Sequence, residues 1–520
     1  MTMTEKKASM YGVIHIGSSN LSMKIVSYAA IDDIRVIESV RKQTSFGEEV
    51  FLNKKLSFSS TRRLCDMLRG LKQLLDDYQV TEYKVYATAV LREAENCLSV
   101  LDLIRVNTGF IVQVVDMPQE IYYKHFWLQY GMRKMCRDKK YDLGENLLFV
   151  DITSGCVGFT LWTKGTLTYQ HNVHIGTLRL LETFKSSQRE SQDFPRAMEE
   201  YIHAIMEPLW GAVNSYHPLS VIFSGREAGI IIKLMQLPVG EGNITEVNPD
   251  VFRKFYSDSG FLSMINQRDE KVIDEWQSMT IWPSIYIYKE IINHVSTNHI
   301  LISGISFVEA VTGFYGAEKH KESAILYMRG QNLELTRAIA KSYYYETAHT
   351  KALEYYSHMM FSELKKYGGI TDRDEFLLRM AIILYQIGKY VNLLDSSLHA
   401  WNLIRGTDIF GISDKEKDIV ACIVYYDHKG IPQIDEKPYA VISDMAKIVV
   451  LKLIAIFRLA RAMDISRKQK MKDVMVRMSG DCLLIEYDSD ENTALERWIF
   501  EKNKELFENV YGVAVKLEKR

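Results

Sequence analysis

Short apolar runs alternate with stretches of helical spacing through the first part of the chain, and this alternation predicts α/β domains. Residues 147–150 are continuously apolar, which predicts a strand buried on both faces, and small residues after Asp151 predict a sharp turn into a second strand. Other predicted strands are residues 83–89, 110–116, 221–223 and 299–303. Predicted helices are residues 60–78, 90–103 and 121–130.

The strand–turn–strand pattern at residues 146–164 also occurs at residues 12–26. Superposed without a gap, His15 matches Asp151 and Ser19 matches Gly155. Because backbone N–H groups of such turns can converge on an anion, the repeat predicts two related domains that face each other across a phosphate-binding cleft. Two ordinary hairpins are the alternative, since a strand followed by a glycine turn is a common pattern.

Nearly continuous helical spacing extends from about Ala317 through Arg461. Strands at residues 473–478 and 482–487, a helix at residues 493–508 and a final strand then predict a small α+β domain. A chain of 520 residues is too long for one core, so three or four domains are expected.

Composition adds little about function, because the chain is 47% hydrophobic and has a net charge of −2. We therefore expect neither nucleic acid nor a membrane as a partner. The polar start of the chain and the short apolar segment at residues 448–457 predict a cytoplasmic protein. Six scattered cysteines without C-x-x-C spacing suggest neither a zinc cluster nor a disulfide framework.

A family resemblance appears in residues 87–96, which read ATAVLREAEN, and in the strand that leads into Gln119 and Glu120. These residues resemble the exopolyphosphatase and guanosine pentaphosphate phosphohydrolase (Ppx/GppA) family. The resemblance implies duplicated actin-like ATPase domains of the ribonuclease H-like α/β class. It continues at two strand-to-glycine junctions, residues 221–227 and 299–305, where a helix N-terminus can receive an anion.

The later part of the chain resembles the long, four-domain members of the same family. The resemblance implies actin-like domains at residues 1–126 and 127–316, an all-α HD-like domain at residues 317–460 and a small α+β domain at residues 461–520. HD phosphohydrolases bind metal through a His-Asp pair where this chain has Tyr385 and Gln386. These side chains cannot replace that pair as metal ligands, and His349 and His399 are more typical of core or surface histidines. We expect this domain to be structural or to guide substrate.

The resemblance assigns roles to individual residues of the actin-like domains. Glu120 matches the catalytic glutamate, Arg92 matches a phosphate-contacting arginine, and Asp151 matches the aspartate associated with magnesium. The predicted phosphate-binding residues are Gly17, Ser18, Ser19 and Asn20 in the first loop, Thr153, Ser154, Gly155 and Cys156 in the second, and Ser224 and Gly225 at a later junction. Hydrolysis of a terminal phosphate needs such a set: a carboxylate to orient water and donors for the developing charge.

The chain departs from the family at His15, where aspartate is usual, at Thr153 and Ser154, where glycines are usual, and at Gln119, where a second acidic residue is usual. The main hypothesis is hydrolysis of the terminal phosphate of inorganic polyphosphate or of guanosine pentaphosphate. The alternative is a paralogue without turnover that binds polyphosphate or guanosine tetra- and pentaphosphate as a regulator. A sugar or acetate kinase of the same superfamily is a third hypothesis. Long family members often pair, so we expect a homodimer.

A basic run at residues 458–477 is the predicted binding path for a polyanion chain. Its predicted channel residues are Arg461, Arg467, Lys468 and Lys470. A solvated linker face is the alternative for such a run.

Overall fold

The computed structural model describes residues 8–137, 145–225, 227–238, 244–257, 275–427, 429–433 and 435–520. The chain divides into two compact units, Met1–Gln331 and Asn332–Arg520. Each unit has its own hydrophobic core and is described by itself. Among the described helices, none combines the length and apolar character needed to cross a bilayer. The predicted four-domain boundaries remain a prediction.

The first half of the first unit is built on a five-stranded sheet in the order β3-β2-β1-β4-β5. β1, β2 and β3 are antiparallel neighbours, whereas β4 runs parallel to β1 and β5 runs parallel to β4. The strands are β1 Ser9–Ile16, β2 Asn20–Ala30, β3 Asp33–Gln43, β4 Tyr83–Ala87 and β5 Val112–Val114. The helices are α1 Phe46–Asn53, α2 Phe58–Asp77, α3 Ala89–Arg92, α4 Cys97–Thr108 and α5 Met117–Arg137.

The second half repeats this topology on a six-stranded sheet in the order β10-β11-β9-β6-β7-β8. β6, β7 and β8 are antiparallel, β9 and β11 extend the sheet in parallel, and β10 pairs antiparallel with β11. The strands are β6 Asn146–Ile152, β7 Val157–Thr163, β8 Thr166–Val173, β9 Ser220–Gly225, β10 Ile244–Val247 and β11 His299–Ser303. The helices are α6 Thr177–Thr183, α7 Ser186–Arg189, α8 Phe194–Ser215, α9 Ala228–Leu234, α10 Pro249–Ser257, α11 Glu275–His294 and α12 Phe307–Lys319. The next helix, α13 Ser323–Lys341, begins in the first unit and ends in the second. The shared strand order confirms the predicted repeat.

Helices α5 and α12 pack against each other and hold the catalytic candidate Glu120 in place. Gly313 of α12 allows the close approach, because a Cβ atom there would lie 2.2 Å from the ring of Trp127 on α5. A capping box, in which Ser306 and Glu309 satisfy each other's backbone N–H groups, fixes the start of α12. The position of Glu120 therefore depends on packing along the whole of α5.

The second unit combines helices with a three-stranded sheet in the order β12-β13-β14. Its helices are α14 Thr347–Leu364, α15 Asp372–Leu384, α16 Ser396–Gly406, α17 Asp414–Tyr425, α18 Lys437–Ala440, α19 Asp444–Met463 and α20 Ala494–Tyr511. Its strands are β12 Lys472–Ser479, β13 Cys482–Asp488 and β14 Ala514–Lys519, and short 3-10 helices lie at Lys365–Tyr367 and Ile387–Tyr390. Both sheet and helices share one apolar core, which explains the near-continuous apolar face of α19.

The structure corrects two local predictions in the first half. The predicted single helix at residues 90–103 is wrong, because α3 ends at Arg92 and α4 begins at Cys97. Asn96 is held outside the helices by hydrogen bonds between its side-chain amide and the backbone of Leu56, with N–O distances of 3.1 and 2.8 Å. The strand predicted at residues 110–116 is shorter, Val112–Val114. The break after α3 leaves Arg92 at a helix end.

Candidate functional site

The first predicted phosphate loop, Gly17 to Asn20, connects β1 to β2. The carbonyl oxygens of Ser18 and Ser19 accept hydrogen bonds from the N–H groups of Gly47 and Thr44, at 2.8 and 2.9 Å. Only glycine fits at position 47, because a Cβ atom there would lie 2.5 Å from the Cβ atom of Ser18. With its carbonyls fixed toward α1, this loop can offer the N–H groups of the two serines to an anion.

The second predicted loop, Thr153 to Cys156, connects β6 to β7 and is closed on itself. The Thr153 hydroxyl accepts hydrogen bonds from the N–H groups of Gly155 and Cys156, at 3.3 and 3.0 Å. The Ser154 carbonyl accepts from the N–H groups of Leu178 and Arg179 at the start of α6. In this arrangement Thr153 satisfies two donors that glycines would leave for a phosphate. Cys156 is fully buried, and burial raises the pKa of its thiol to about 12.

The partly buried Arg92 and the buried Glu120 form an ion pair at the carboxyl edge of β4 and β5. The Arg92 Nη1 atom donates to Glu120 Oε2 at 3.2 Å and to the Val115 carbonyl at 2.9 Å. The Nε and Nη2 atoms of Arg92 are buried without a hydrogen-bond partner in the described part of the chain. Buried guanidinium donors without an acceptor are costly unless an anion satisfies them.

Burial opposes ionisation of Glu120, but Arg92 and then Lys124 lower its pKa below the usual range. The side chain is therefore a carboxylate at neutral pH, able to orient a water molecule. Arg92 also contacts a second carboxylate, because its Nε atom lies 3.6 Å from Oε1 of Glu93. The other oxygen of Glu93 accepts from Arg179 Nη2 at 3.2 Å. Two arginines, one from each half, are thus linked beside the second loop.

Asp151 is held by a buried lysine. The Lys124 Nζ atom donates to Oδ1 and Oδ2 of Asp151 at 3.2 and 3.0 Å, and the Ser224 hydroxyl donates to Oδ1. Burial works against the charged ammonium, but Asp151 and then Glu120 raise the pKa of Lys124 above its usual value. Lys124 lies one helical turn after Glu120 on α5, so a single helix presents both charges.

His15, at the position that matches Asp151 in the first half, is uncharged. Burial lowers its pKa to about 4. Its Nε2 atom lies 3.1 Å from the Thr88 hydroxyl, and its ring packs on Phe307 with a centroid distance of 4.6 Å. His15 therefore adds a neutral polar group to the cleft, not a metal ligand with negative charge.

The resemblance implies magnesium at Asp151, and the donors around this residue fit the ion poorly. Magnesium takes octahedral oxygen ligands and keeps several of its waters. Both Asp151 oxygens are instead bonded to Lys124 and Ser224, the side chain is fully buried, and the matching carboxylate is replaced by His15. Magnesium remains a prediction of the sequence.

The third predicted phosphate-binding segment, Ser224 and Gly225, lies at the end of β9. The Ser224 hydroxyl donates to Asp151, as described above. Gly225 has a φ of +139°, and a Cβ atom there would lie 2.3 Å from the Ile152 carbonyl oxygen. Its role in the described residues is close backbone packing. Arg226, within the same predicted junction, lies outside the described residues.

Sequence reasoning missed three charged residues of the site, Lys124, Glu93 and Arg179. The spacing of Glu120 and Lys124 by four residues was a usable signal, since it places both on one face of a helix. Arg179 had no comparable signal, because its contact with Glu93 joins residues far apart in sequence.

The first unit also contains a cavity of about 730 Å³ whose lining is mostly apolar. Its residues are Glu48, Phe51, Leu52, Leu178, Leu181, Glu182, Arg189, Glu190, Phe194, Pro195, Met198, Trp282 and Tyr286. Three glutamates against one arginine would repel a polyanion.

The predicted channel residues lie in the second unit, and most of them are already paired. Arg461 Nε lies 2.9 Å from Asp427, Arg467 contacts Glu346, and Lys470 Nζ lies 3.1 Å from Glu496. Lys468 is exposed. Arg458, within the same run, is buried and donates to the backbone carbonyls of Tyr426 and Gly430. The channel itself remains a prediction.

Tyr385 and Gln386, which stand at the predicted position of a metal-binding pair, are buried in the second unit. The Tyr385 hydroxyl lies 2.7 Å from His349 Nε2, and the Nδ1 atom of the same histidine lies 2.7 Å from Asp464 Oδ2. His349 is thus a satisfied core histidine, as the sequence suggested, and His399 is half-buried on α16.

The model of the Ppx/GppA phosphatase family matches residues 24–311, and the model of Ppx/GppA phosphatase domain III matches residues 334–504. An exopolyphosphatase from Cytophaga hutchinsonii is similar in structure, with a TM-score of 0.50, 18% identity, and coverage of 60% of this chain and 98% of that one. An exopolyphosphatase-like protein gives a TM-score of 0.51 at 14% identity, over 61% of this chain and 100% of that one. These likenesses confirm the predicted fold with duplicated actin-like ATPase domains.

Proposed function

The chain belongs to the Ppx/GppA phosphatase family, and we propose that it removes the terminal phosphate from inorganic polyphosphate. The observation that carries the proposal is the Arg92–Glu120 pair, in which the buried Nε and Nη2 atoms of the guanidinium make no hydrogen bond within the described residues. An acceptor-rich, highly charged terminal phosphate is the kind of group that such donors satisfy. The family match covers both residues.

In this proposal Glu120 orients the attacking water and accepts one of its protons. The new bond joins the water oxygen to the terminal phosphorus, and the phosphoanhydride bond to the remaining chain breaks. The products are orthophosphate and a polyphosphate shorter by one phosphate. Arg92 stabilises the charge that develops on the transferred phosphoryl oxygens, which is the main contribution a protein makes to this reaction.

We further propose that the Lys124 ammonium supplies the fixed positive charge at Asp151. The ion pair is buried, so its orientation is set before substrate arrives and needs little reorganisation. The N–H groups of Ser18 and Ser19 in the first loop would bind the next phosphate of the chain. Guanosine pentaphosphate presents the same terminal group and is a second proposed substrate. The predicted homodimer remains a prediction.

The test is release of orthophosphate from long-chain polyphosphate by the wild type, Glu120→Gln and the matched control Glu145→Gln. Glu145 is exposed at the start of β6, and its carboxylate lies 3.7 Å from the ammonium of Lys164. We expect Glu120→Gln to lower kcat by about 100-fold to 10,000-fold, the range for loss of a general base. Equal rates in the wild type and Glu120→Gln would refute the role of Glu120. Binding without release by the wild type would instead support the regulator hypothesis.

A further inference from the structure

A cavity of about 140 Å³ in the second unit is lined in part by Tyr385, which stands at a position where the family resemblance predicts a metal ligand of HD phosphohydrolases. Its lining residues are His349, Tyr385, Lys389, Ser396, Ser397, Asp427, Arg461, Ile465 and Arg467. The metal-binding pair is replaced by Tyr385 and Gln386, and one carboxylate remains among the lining side chains. A position predicted to bind a metal cation therefore borders a cavity that is lined by more basic than acidic side chains.

Three cationic side chains line this cavity. Arg461 pairs with Asp427, with Nε 2.9 Å from Oδ1, and Arg467 pairs with Glu346. The Lys389 Nζ atom donates to the neutral amide oxygen of Gln386 at 2.9 Å. Lys389 thus leaves the cavity with positive charge in excess, even after both arginines are counted with their carboxylates.

The electrostatic effect on Lys389 agrees with this excess. Burial, followed by repulsion from Arg467, lowers the pKa of Lys389 below its usual value. Asp427 and Glu346 oppose the shift and do not cancel it, while Arg461 adds to it. An anion in the cavity would relieve the repulsion between these cations.

Two serines at the start of a helix, Ser396 and Ser397, also line this space. Ser397 is buried, and its hydroxyl has no hydrogen-bond partner in the described part of the chain. Ser396 and Ser397 form the first turn of α16, an 11-residue helix whose preceding residue, Asp395, makes no side-chain cap. The first turn of a helix has N–H groups without partners inside the helix, and its dipole favours negative charge.

Tyr385 also lines the cavity, but its hydroxyl group is not free to donate to a ligand. Its hydroxyl is engaged by His349, which is held in turn by Asp464. This buried chain fixes the shape of the cavity and leaves Lys389, the two arginines and the serine hydroxyls to bind a ligand.

We propose that this cavity binds a phosphate group, either as free inorganic phosphate or as one group of a polyphosphate chain. The volume is that of a few water molecules, which suits one tetrahedral oxyanion. The donor set has the composition of a phosphate site: an ammonium, two guanidinium groups, hydroxyls and a helix N-terminus. The proposal does not depend on hydrolysis in the first unit, because all these residues belong to the second unit.

The test is hydrogen–deuterium exchange of the full chain, read by mass spectrometry over residues 385–400 and 461–467. One arm adds orthophosphate and another adds long-chain polyphosphate. Local readout separates this cavity from phosphate bound in the first unit. The variants are Lys389→Met, Ser397→Ala and the matched control Lys415→Met, whose lysine is exposed on α17.

We expect orthophosphate to slow exchange in both segments of the wild type and of Lys415→Met. Lys389→Met should weaken the apparent affinity by about tenfold or more, as loss of one charged hydrogen bond implies. Ser397→Ala should weaken it less and leave exchange without phosphate unchanged, which controls for folding. Protection by polyphosphate but not by orthophosphate would identify a chain as the ligand. No protection by either, or equal protection in Lys389→Met and the wild type, would overturn the proposal.

Discussion

The two halves of the first unit share a topology and differ at the two positions that the repeat superposes. In the first half, the loop after His15 has its carbonyls fixed to α1, and His15 is neutral. In the second half, the loop after Asp151 is closed by the Thr153 hydroxyl, and Asp151 is bound to Lys124. One half therefore offers open donors, whereas the other satisfies its polar groups internally.

The two halves of this duplicated fold therefore differ in the hydrogen-bond donors that they can offer to a ligand. The donors available for phosphate, on Arg92 and in the first loop, belong to the first half. The second half contributes Asp151, which is bonded to Lys124 of the first half, and Arg179, whose Nη2 atom is already bonded to Glu93. Substitution of Arg92 should therefore affect catalysis most, whereas substitution of the groups that bind Asp151 or close the second loop should affect stability.

The largest effect is expected from Arg92. Arg92→Met removes the unpartnered donors and should lower kcat/KM for polyphosphate by about 1,000-fold or more, as for other phosphate-transfer arginines. Arg92→Lys should recover part of the activity because it keeps the charge but not the planar fork. Arg179→Met, in the second half, serves as the matched control with a much smaller loss. Similar losses of kcat/KM in Arg92→Met and Arg179→Met would contradict the proposal that the first half supplies the donors for phosphate.

Lys124, on α5 of the first half, should contribute most to stability through its ion pair with Asp151 of the second half. Lys124→Met leaves the buried Asp151 carboxylate without its cation, which should lower the free energy of unfolding by about 3–5 kcal/mol. Urea unfolding followed by tryptophan fluorescence would measure it. Adding Asp151→Asn should restore much of the loss, because the unpaired charge is then gone. If the double variant is no more stable than Lys124→Met, the cost does not come from an uncompensated carboxylate.

The closed second loop can be opened by one substitution. Thr153→Val keeps the side-chain shape and removes the hydroxyl that binds the N–H groups of Gly155 and Cys156. Unfolding free energy should fall by about 1–3 kcal/mol, the range for buried groups left unsatisfied. Thr153→Ser should stay close to the wild type. Identical stabilities for the valine and serine variants would show that the hydroxyl does not hold this loop.

A smaller, pH-dependent effect is expected from His15. Its pKa is about 4 in the folded chain and about 6.5 in the unfolded chain, so the unfolded state binds more protons between these values. Stability should therefore be complete above about pH 6.5 and fall as the pH is lowered toward 4. His15→Gln should remove part of this slope in unfolding measured across that range. His125, whose pKa is lowered to about 3 by burial, should account for a remaining part.

The sequence predicted the repeat and the strands around it, whereas the roles that it assigned to Glu120, Arg92 and Asp151 stay predictions. These features follow from local apolar patterns and from a family resemblance. The break between α3 and α4 could not be predicted, because it depends on hydrogen bonds between Asn96 and the distant Leu56. The Lys124–Asp151 contact joins the two repeats, so no local sequence pattern predicts it. The four-residue spacing of Glu120 and Lys124 places both side chains on one face of α5 but does not identify Asp151 as the partner.

The sequence also identified the basic run at residues 458–477, but it did not show which of these side chains are paired with carboxylates. Arg461 and Arg467 have carboxylate partners contributed by other segments, Asp427 and Glu346. A charge count along the chain cannot include such partners, because pairing is set by tertiary structure. The same two arginines line the cavity of the second unit, which no spacing of residues indicated.

The most direct measurement is polyphosphate cleavage in ¹⁸O-labelled water, followed by ³¹P NMR of the released orthophosphate. Hydrolysis through water oriented by Glu120 predicts one solvent oxygen in each phosphate released by the wild type. Glu120→Gln should release labelled phosphate about 100-fold to 10,000-fold more slowly. Orthophosphate without solvent oxygen, or labelled phosphate released equally fast by Glu120→Gln, would contradict the assignment of this site as a phosphohydrolase centre.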